Sequence, residues 1–388
     1  MELTKRQTEC IQAIRKQIHT FPETSWEEFE TTAFIRERLS EIEGIEIVEM
    51  GLKTGIVARL RGAYPGRCVA LRADIDALDV VERWESSCMS RREGKGHLCG
   101  HDFHTAALLG AAMMLAEERS KIRGEVVFIF QPAEETTNGA RYVIEHGLFE
   151  RFDISAIFGL HNRPEVETGK VVVHEGPLMA AKINFSVTVH GVGGHGSMPH
   201  KCVDPIVCAS AIVQAVLTIP ARNVDPMASL VLSICSIHGG TPMNLIVDKV
   251  EMTGSMRYHD PSVGERALSR LKKVISATAD AFECQADFSV DESVPAVINS
   301  SEMAVFARQA VRETFGEDGV IDAEPGLATE DFADYMQHVP GFFYWVGNRK
   351  REDECFSWHN ERFHVDEEAL PGAASLLAKS AVVFLEAT

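Results

Sequence analysis

Cys68-Val69-Ala70-Leu71-Arg72-Ala73-Asp74-Ile75-Asp76 is the stretch that decides the fold. Four apolar residues without alternation suit a strand covered on both faces, as in parallel sheets. The acidic residues behind them fall where such a strand ends. The same order recurs twice: residues 125–130 run into Gln131-Pro132-Ala133-Glu134-Glu135, and residues 154–160 run into His161. Between the first two strands, residues 106–118 are rich in Ala, Leu and Met and predict a helix. Alternating strands and helices predict an α/β fold with a mostly parallel sheet flanked by helices.

Outward from this core the pattern changes near residue 180. Ile183, Phe185, Val187 and Val189 alternate with Asn184, Ser186, Thr188 and His190, the period of a strand with one exposed face. A helix over 205–217, strands over 229–237, 249–258 and 286–290, and a helix after Pro261 complete an α+β unit with an open antiparallel sheet. Beyond about 293 the mixed pattern returns, with a helix at 301–315, a strand at 342–346 and a helix at 367–385. The expected organisation is therefore one domain in two pieces, 1–179 and 293–388, interrupted by an inserted domain at 180–292. A chain of 388 residues exceeds the roughly 250–300 at which a single core stops growing, which agrees.

Composition excludes several classes. The formal net charge is −19, against the clustered Lys and Arg that a nucleic-acid backbone requires. No stretch approaches the roughly 18–20 uncharged apolar residues of a membrane span, and the first 20 residues carry no continuous apolar run. Nine cysteines, an odd number without paired spacing, read as reduced thiols of a cytoplasmic protein.

In open parallel sheets ligands bind beyond the carboxyl ends of the strands. Here three strand ends carry Asp74, Glu134-Glu135 and His161. His97-Leu98-Cys99-Gly100-His101-Asp102-Phe103-His104 is the densest set of potential ligands, with Asp102 placed to cap the following helix. A Cys beside a His also suits a thiol hydrolase. The acidic strand ends favour metal, because a two-ion site needs several anionic ligands. Of Glu134 and Glu135, one carboxylate can bind metal while the other moves a proton. His359 is a late ligand candidate, and His364 reads as structural. Gly191-Val192-Gly193-Gly194-His195-Gly196 fits a dinucleotide fingerprint, but the preceding strand has a polar face and Pro199 interrupts an immediate helix, so it is set aside.

The motifs LRADIDAL, HLCGHDFHTA, FQPAEE, GLHN, GVGGHGSMPH, NLIVD and SWHNERF occur in the order seen in hippurate hydrolases and indole-acetyl-amino-acid hydrolases. The chain resembles this group of the aminoacylase and carboxypeptidase metallopeptidases from about residue 10 onward. The resemblance implies that Cys99, His101, Glu135, His161 and His359 ligate two divalent ions, with Cys99 as the bridge. Zinc or manganese is the expected ion, and cobalt or nickel is compatible. Glu134 resembles the general base and acid, and Asp74 a carboxylate that holds a ligand. Where the wider family often has a ligating histidine, this chain has Arg72, which is not assigned to metal.

The inserted domain resembles a lid and dimerisation domain. His195 matches the histidine that stabilises the oxyanion in a partner subunit's site, and Asn244 and Arg257 match positions that bind the substrate carboxylate. Val247 replaces a common proline, and Glu330-Asp331-Phe332 reads as support at a helix start. The implied activity is hydrolysis of N-acyl amino acids by a homodimer or tetramer, without nucleic acid or membrane. Alternatives are a metallo-dipeptidase or exopeptidase and an inactive metal-binding scaffold.

Overall fold

Apolar continuity has the consequence expected of it: in the strand Tyr64–Asp74 every residue from Cys68 onward is buried. The structure, a computed structural model, describes residues 1–84, 86–240, 243–351 and 355–387. The chain divides into two compact units. Met1–Gly176, Ile298–Glu324 and Asp331–Thr388 form the first, and Pro177–Val297 with Pro325–Glu330 form the second.

The first unit is built on an eight-stranded mixed sheet. Its strands β1 (Ile45–Val48), β2 (Ile56–Arg61), β3 (Tyr64–Asp74), β4 (Arg123–Gln131), β5 (Ile154–Glu167) and β6 (Val171–Val172) are joined by Gly341–Arg349 and Val320–Ile321. The order is β1-β2-β4-β3-β5, then Gly341–Arg349, β6 and Val320–Ile321. The centre, β4-β3-β5 and Gly341–Arg349, is parallel, while β1 and β2 form an antiparallel edge. Register sets Asp74 beside Gln131 and Arg72 beside Gly159, so three neighbouring strands deliver their chemistry at one edge.

Three helices matter most: α1 (Lys5–Thr20), α2 (Phe29–Ser40) and α3 (His101–Glu117). Most of α3 is buried, as expected of a helix apolar on all sides. It packs against the C-terminal helix Leu370–Glu386, and a Cβ at Gly110 would lie 2.8 Å from that of Ala374. The segment Glu367–Glu386 is long and apolar enough to cross a membrane, but most of it is buried in the first unit's core.

Two local expectations change. The helix expected at 106–118 starts at His101, because left-handed Gly100 (φ 95°) turns the chain directly into it. Gly100, not Asp102, is the N-cap; Asp102 turns inward to Arg15 and His19. His161 lies within β5 rather than behind it, since pairing with Gly341–Arg349 sets Trp345 opposite His161 and carries the strand on to Glu167.

The second unit has a four-stranded antiparallel sheet in the order Leu230–His238, Lys249–Tyr258, Ala181–His190, Gln285–Val294. In Ala181–His190 burial alternates strictly, matching the sequence period. The buried face packs on helices Pro205–Val216 and Pro261–Ala281, whose Ile212, Val216, Leu271 and Ile275 join Phe185 and Val187 in one core. Asp204 and Asp260 cap these helices through their side chains, each followed by proline. No helix opens within Gly191–Gly196; Gly194–His195 pairs instead with Leu245–Ile246.

Candidate metal centre

Asp74, Cys99, His101, Glu134, Glu135, His161 and His359 all belong to the first unit, and the fold gathers them beyond the β4-β3-β5 edge. Cys99 precedes α3 and His101 opens it. Gly100 between them is obligatory: a Cβ there would lie 2.1 Å from Asn162 Nδ2, which donates to the Cys99 carbonyl at 2.6 Å. His359 reaches the site from a loop, with φ of 65° and its N–H on the Leu98 carbonyl.

Among the groups of potential ligand atoms, two share one thiol, and His101, Glu134 and Glu135 form a further group between them. Cys99, His101 and His161 lie within 4.8 Å of one another, and so do Cys99, Glu135 and His359. Cys99 Sγ is 3.4 Å from His161 Nε2, and His359 Nε2 is 3.4 Å from Glu135 Oε2. Two ligands on one ion at about 2.1 Å each stand roughly 3.4 Å apart in tetrahedral geometry. His101 Nε2 and Glu135 Oε1 are both buried without a hydrogen-bond partner among the described residues, and lie 3.8 Å from each other. Buried polar atoms are rarely left so. A divalent cation fits this donor set, and the half-exposed His359 leaves one side accessible to substrate.

Hydrogen bonds fix which nitrogen each histidine offers. His161 Nδ1 donates to the Asn162 carbonyl at 2.8 Å, leaving Nε2 toward Cys99. His101 Nδ1 donates to Asp76 Oδ1 at 3.2 Å, leaving Nε2 toward Glu135. His104 is a different case. Its Nδ1 binds Asp74 at 2.6 Å while its Nε2 accepts the Asn162 N–H at 3.0 Å, so both nitrogens are used. The group Asp74-His101-His104 is therefore a hydrogen-bonded support rather than a candidate ion site.

Charge leads to the same conclusion. Burial works against the His101 imidazolium, yet Asp74, Asp76 and Glu135 outweigh it and lift the group to about 10. Burial, Glu135, Glu134 and Asp74 push the Cys99 thiol well above its ordinary value. So many carboxylates around one thiol leave a negative excess that cations relieve, and metal coordination deprotonates a thiol outright. Glu134 Oε2 lies 4.0 Å from His101 Nε2, beside the ligands.

Behind the site, Arg72 is completely buried and donates to Asp74 at 2.8 Å and to Asp331 at 2.9 Å. Asp331 stands at the N-cap of the short helix Phe332–Tyr335, where its side chain makes no cap bond. It accepts from Arg72, Gln131 Nε2 and the Ala140 N–H instead, tying β3 to the segment after β4. His364 stacks on Trp84, with ring centroids 3.9 Å apart. Sequence reasoning missed His104, Asn162 and Asp76. For His104 a signal existed, since three residues after His101 on a helix is the same face; Asn162 closes the motif GLHN, which does not by itself tell its hydrogen-bond partners.

His195, Asn244 and Arg257 lie in the second unit. His195 and Asn244 adjoin in the small ribbon, where the Gly196 N–H donates to the Asn244 carbonyl at 2.9 Å. Ser197 N–H donates to His195 Nδ1 at 3.2 Å, so the ring proton sits on Nε2. Arg257 donates to the Leu327 carbonyl and to Thr329 Oγ1.

A model of peptidase family M20/M25/M40 matches residues 70–382. The chain is 41% identical over 373 residues to the N-acetyl-L-cysteine deacetylase of Bacillus subtilis, covering 96% of this chain and 88% of that protein. It is 37% identical over 377 residues to thermostable carboxypeptidase 1 of Saccharolobus solfataricus, covering 96% and 94%. Among solved structures, the YxeP protein of Bacillus subtilis, described as a dinuclear metal-binding peptidase of the M20 family, matches with a TM-score of 0.88. The two are 36% identical, and the match covers 100% of each chain.

Proposed function

The chain belongs to peptidase family M20/M25/M40, and from that premise we propose that it is a two-metal amidohydrolase that releases the amino acid from N-acyl amino acids. The observation that carries this reading is the pair of ligand sets sharing Cys99, with Glu134 alongside. Cys99, His101, Glu135, His161 and His359 would hold the ions, with Cys99 as the bridge. The mixed thiolate, imidazole and carboxylate set suits zinc or manganese, and cobalt or nickel remains compatible. Bound ions would polarise the amide carbonyl and acidify the attacking water.

The remaining work falls to side chains. Glu134 takes the proton of the attacking water and returns it to the departing amine, a role worth about 10²–10⁴-fold. Asp74, held by Arg72 and His104, keeps its charge beside His101. His195, with its proton on Nε2, donates to the oxyanion in a partner subunit's site, and Asn244 and Arg257 take the substrate carboxylate. The functional unit in this reading is a homodimer or tetramer with the second unit as lid. Nine unpaired thiols suit the reducing cytoplasm.

A peptidase reading is favoured by the carboxypeptidase relative. One experiment separates the two: chelator-treated enzyme is supplied separately with zinc, manganese or cobalt and given N-acetyl amino acids and free dipeptides. Ion-dependent release from the acyl amino acids is expected. Release from dipeptides alone would establish the peptidase, and ion-independent turnover would overturn the two-metal reading.

A further inference from the structure

The turn that carries Glu134 and Glu135 has to solve a geometric problem. Successive residues in extended chain point to opposite sides, yet both carboxylates must face one site. Here Ala133 takes a left-handed φ of 54°, and three successive N–H groups, those of residues 133, 134 and 135, all donate to carboxylates. Such a run of backbone N–H groups is an anion-binding nest. Two carboxylates of this chain fill it. Glu28 Oε1 accepts the Ala133 N–H at 2.8 Å, and Asp76 accepts those of Glu134 and Glu135, each at 3.1 Å.

Asp76 does more than fill the nest. Its Oδ1 also accepts from His101 Nδ1, and its Oδ2 accepts from Ser25 Oγ at 2.7 Å. The residue is 1% exposed and follows β3 by two positions, which places it under the turn rather than in it. Four donors saturate the two oxygens, so the carboxylate can neither rotate nor slide without giving up a bond. Three of those donors belong to residues proposed to hold ions or move the proton.

We propose that Asp76 is a positioning residue of the reaction, one carboxylate that selects the His101 tautomer and aims Glu134 and Glu135 together. This assignment rests on the two-ion reading above. An anionic partner at Nδ1 also strengthens the opposite nitrogen as a ligand. Asp76 touches no reacting atom. Its effect is transmitted through the imidazole and through two backbone N–H groups.

Asp76→Asn tests it, because the amide matches the carboxylate in shape but offers one acceptor oxygen and sets an NH2 group against donors. Mn²⁺ affinity is measured by competition with a chelating dye, alongside kcat and KM for an N-acetyl amino acid at saturating Mn²⁺. The Mn²⁺ dissociation constant is expected to rise about 10–100-fold. With the base misaimed, kcat should fall about 100-fold or more while KM stays within about 3-fold. Wild-type Mn²⁺ affinity in the variant, or losses that disappear once activity is normalised to folded protein, overturns the assignment. If Asp76→Asn does not fold, Ser25→Ala decides: it removes one of the two donors to Oδ2 and leaves the Glu135 N–H, and an unchanged kcat and affinity would be equally fatal. A wild-type protein that binds no Mn²⁺ would instead sink the two-ion reading.

Discussion

Gly100 offers a direct measurement of how much the metal centre depends on one missing methyl group. In Gly100→Ala the new Cβ meets two costs. Left-handed backbone costs an L-residue about 1–2 kcal/mol, and φ here is 95°. The Cβ would also lie 2.1 Å from Asn162 Nδ2, so that side chain must leave. Asn162 gives up its bonds to the Cys99 carbonyl, to His104 Nε2 and from Asn348. At about 1 kcal/mol each, these add roughly 3 kcal/mol. Gly51 supplies the control, because its φ is 80° and nothing lies within 4 Å of its Cβ position. Urea unfolding of metal-free protein should show Gly51→Ala destabilised by about 1–2 kcal/mol and Gly100→Ala by about 4–5 kcal/mol. The second variant should also bind Mn²⁺ more weakly, since Cys99 and His101 flank the displaced backbone. Equal destabilisation of the two variants would refute the argument, leaving backbone strain as the whole effect.

Further outcomes are expected elsewhere. Glu134→Gln should retain Mn²⁺ binding by dye competition while kcat falls about 10²–10⁴-fold; full turnover would end its role as base. His195→Ala should lose rate with unchanged metal content. Mixing it with Glu134→Gln should recover part of the activity if His195 acts across a dimer, and no recovery at all would place its action within one subunit. His19 is buried against Asp102 and Glu82, and although burial opposes its charge, these carboxylates lift it from 6.5 to about 9. A raised pKa contributes stability that is complete below about pH 6.5 and is lost as pH climbs through 9, here about 3 kcal/mol. Urea unfolding at pH 6 and pH 10 should therefore differ less in His19→Gln than in wild type, and an identical difference would exclude this group as the source.

The parts legible in the sequence are those with short-range causes. Continuous apolar runs at 68–71 and 126–130 marked doubly covered strands, and the alternation from Ile183 to Val189 marked a singly covered one. Both patterns follow from which faces of a strand meet water. Element ends were less legible. Nothing local to His101 shows that left-handed Gly100 starts the helix there, since the requirement comes from Asn162, 62 positions on. Likewise β5 continues through His161 only because Gly341–Arg349 pairs with it.

The sequence by itself determined the chemical types at the site and their order: carboxylates and a histidine at strand ends, a thiol and a histidine two apart, and a late histidine. Periodicity and motif order carry that information because they depend on near neighbours. Only the tertiary structure decided how those groups divide their work. Asp74, Asp76 and Asp102 are equally plausible carboxylates on paper. In the fold one braces His104 and Arg72, one clamps His101 and the Glu134-Glu135 turn, and one turns away to Arg15 and His19. His101 and His104 likewise both have Nδ1 on an aspartate and differ in whether a neighbour has also taken Nε2. Hydrogen-bond partners are set by distances of about 3 Å between residues far apart in the chain, and no short-range pattern encodes those.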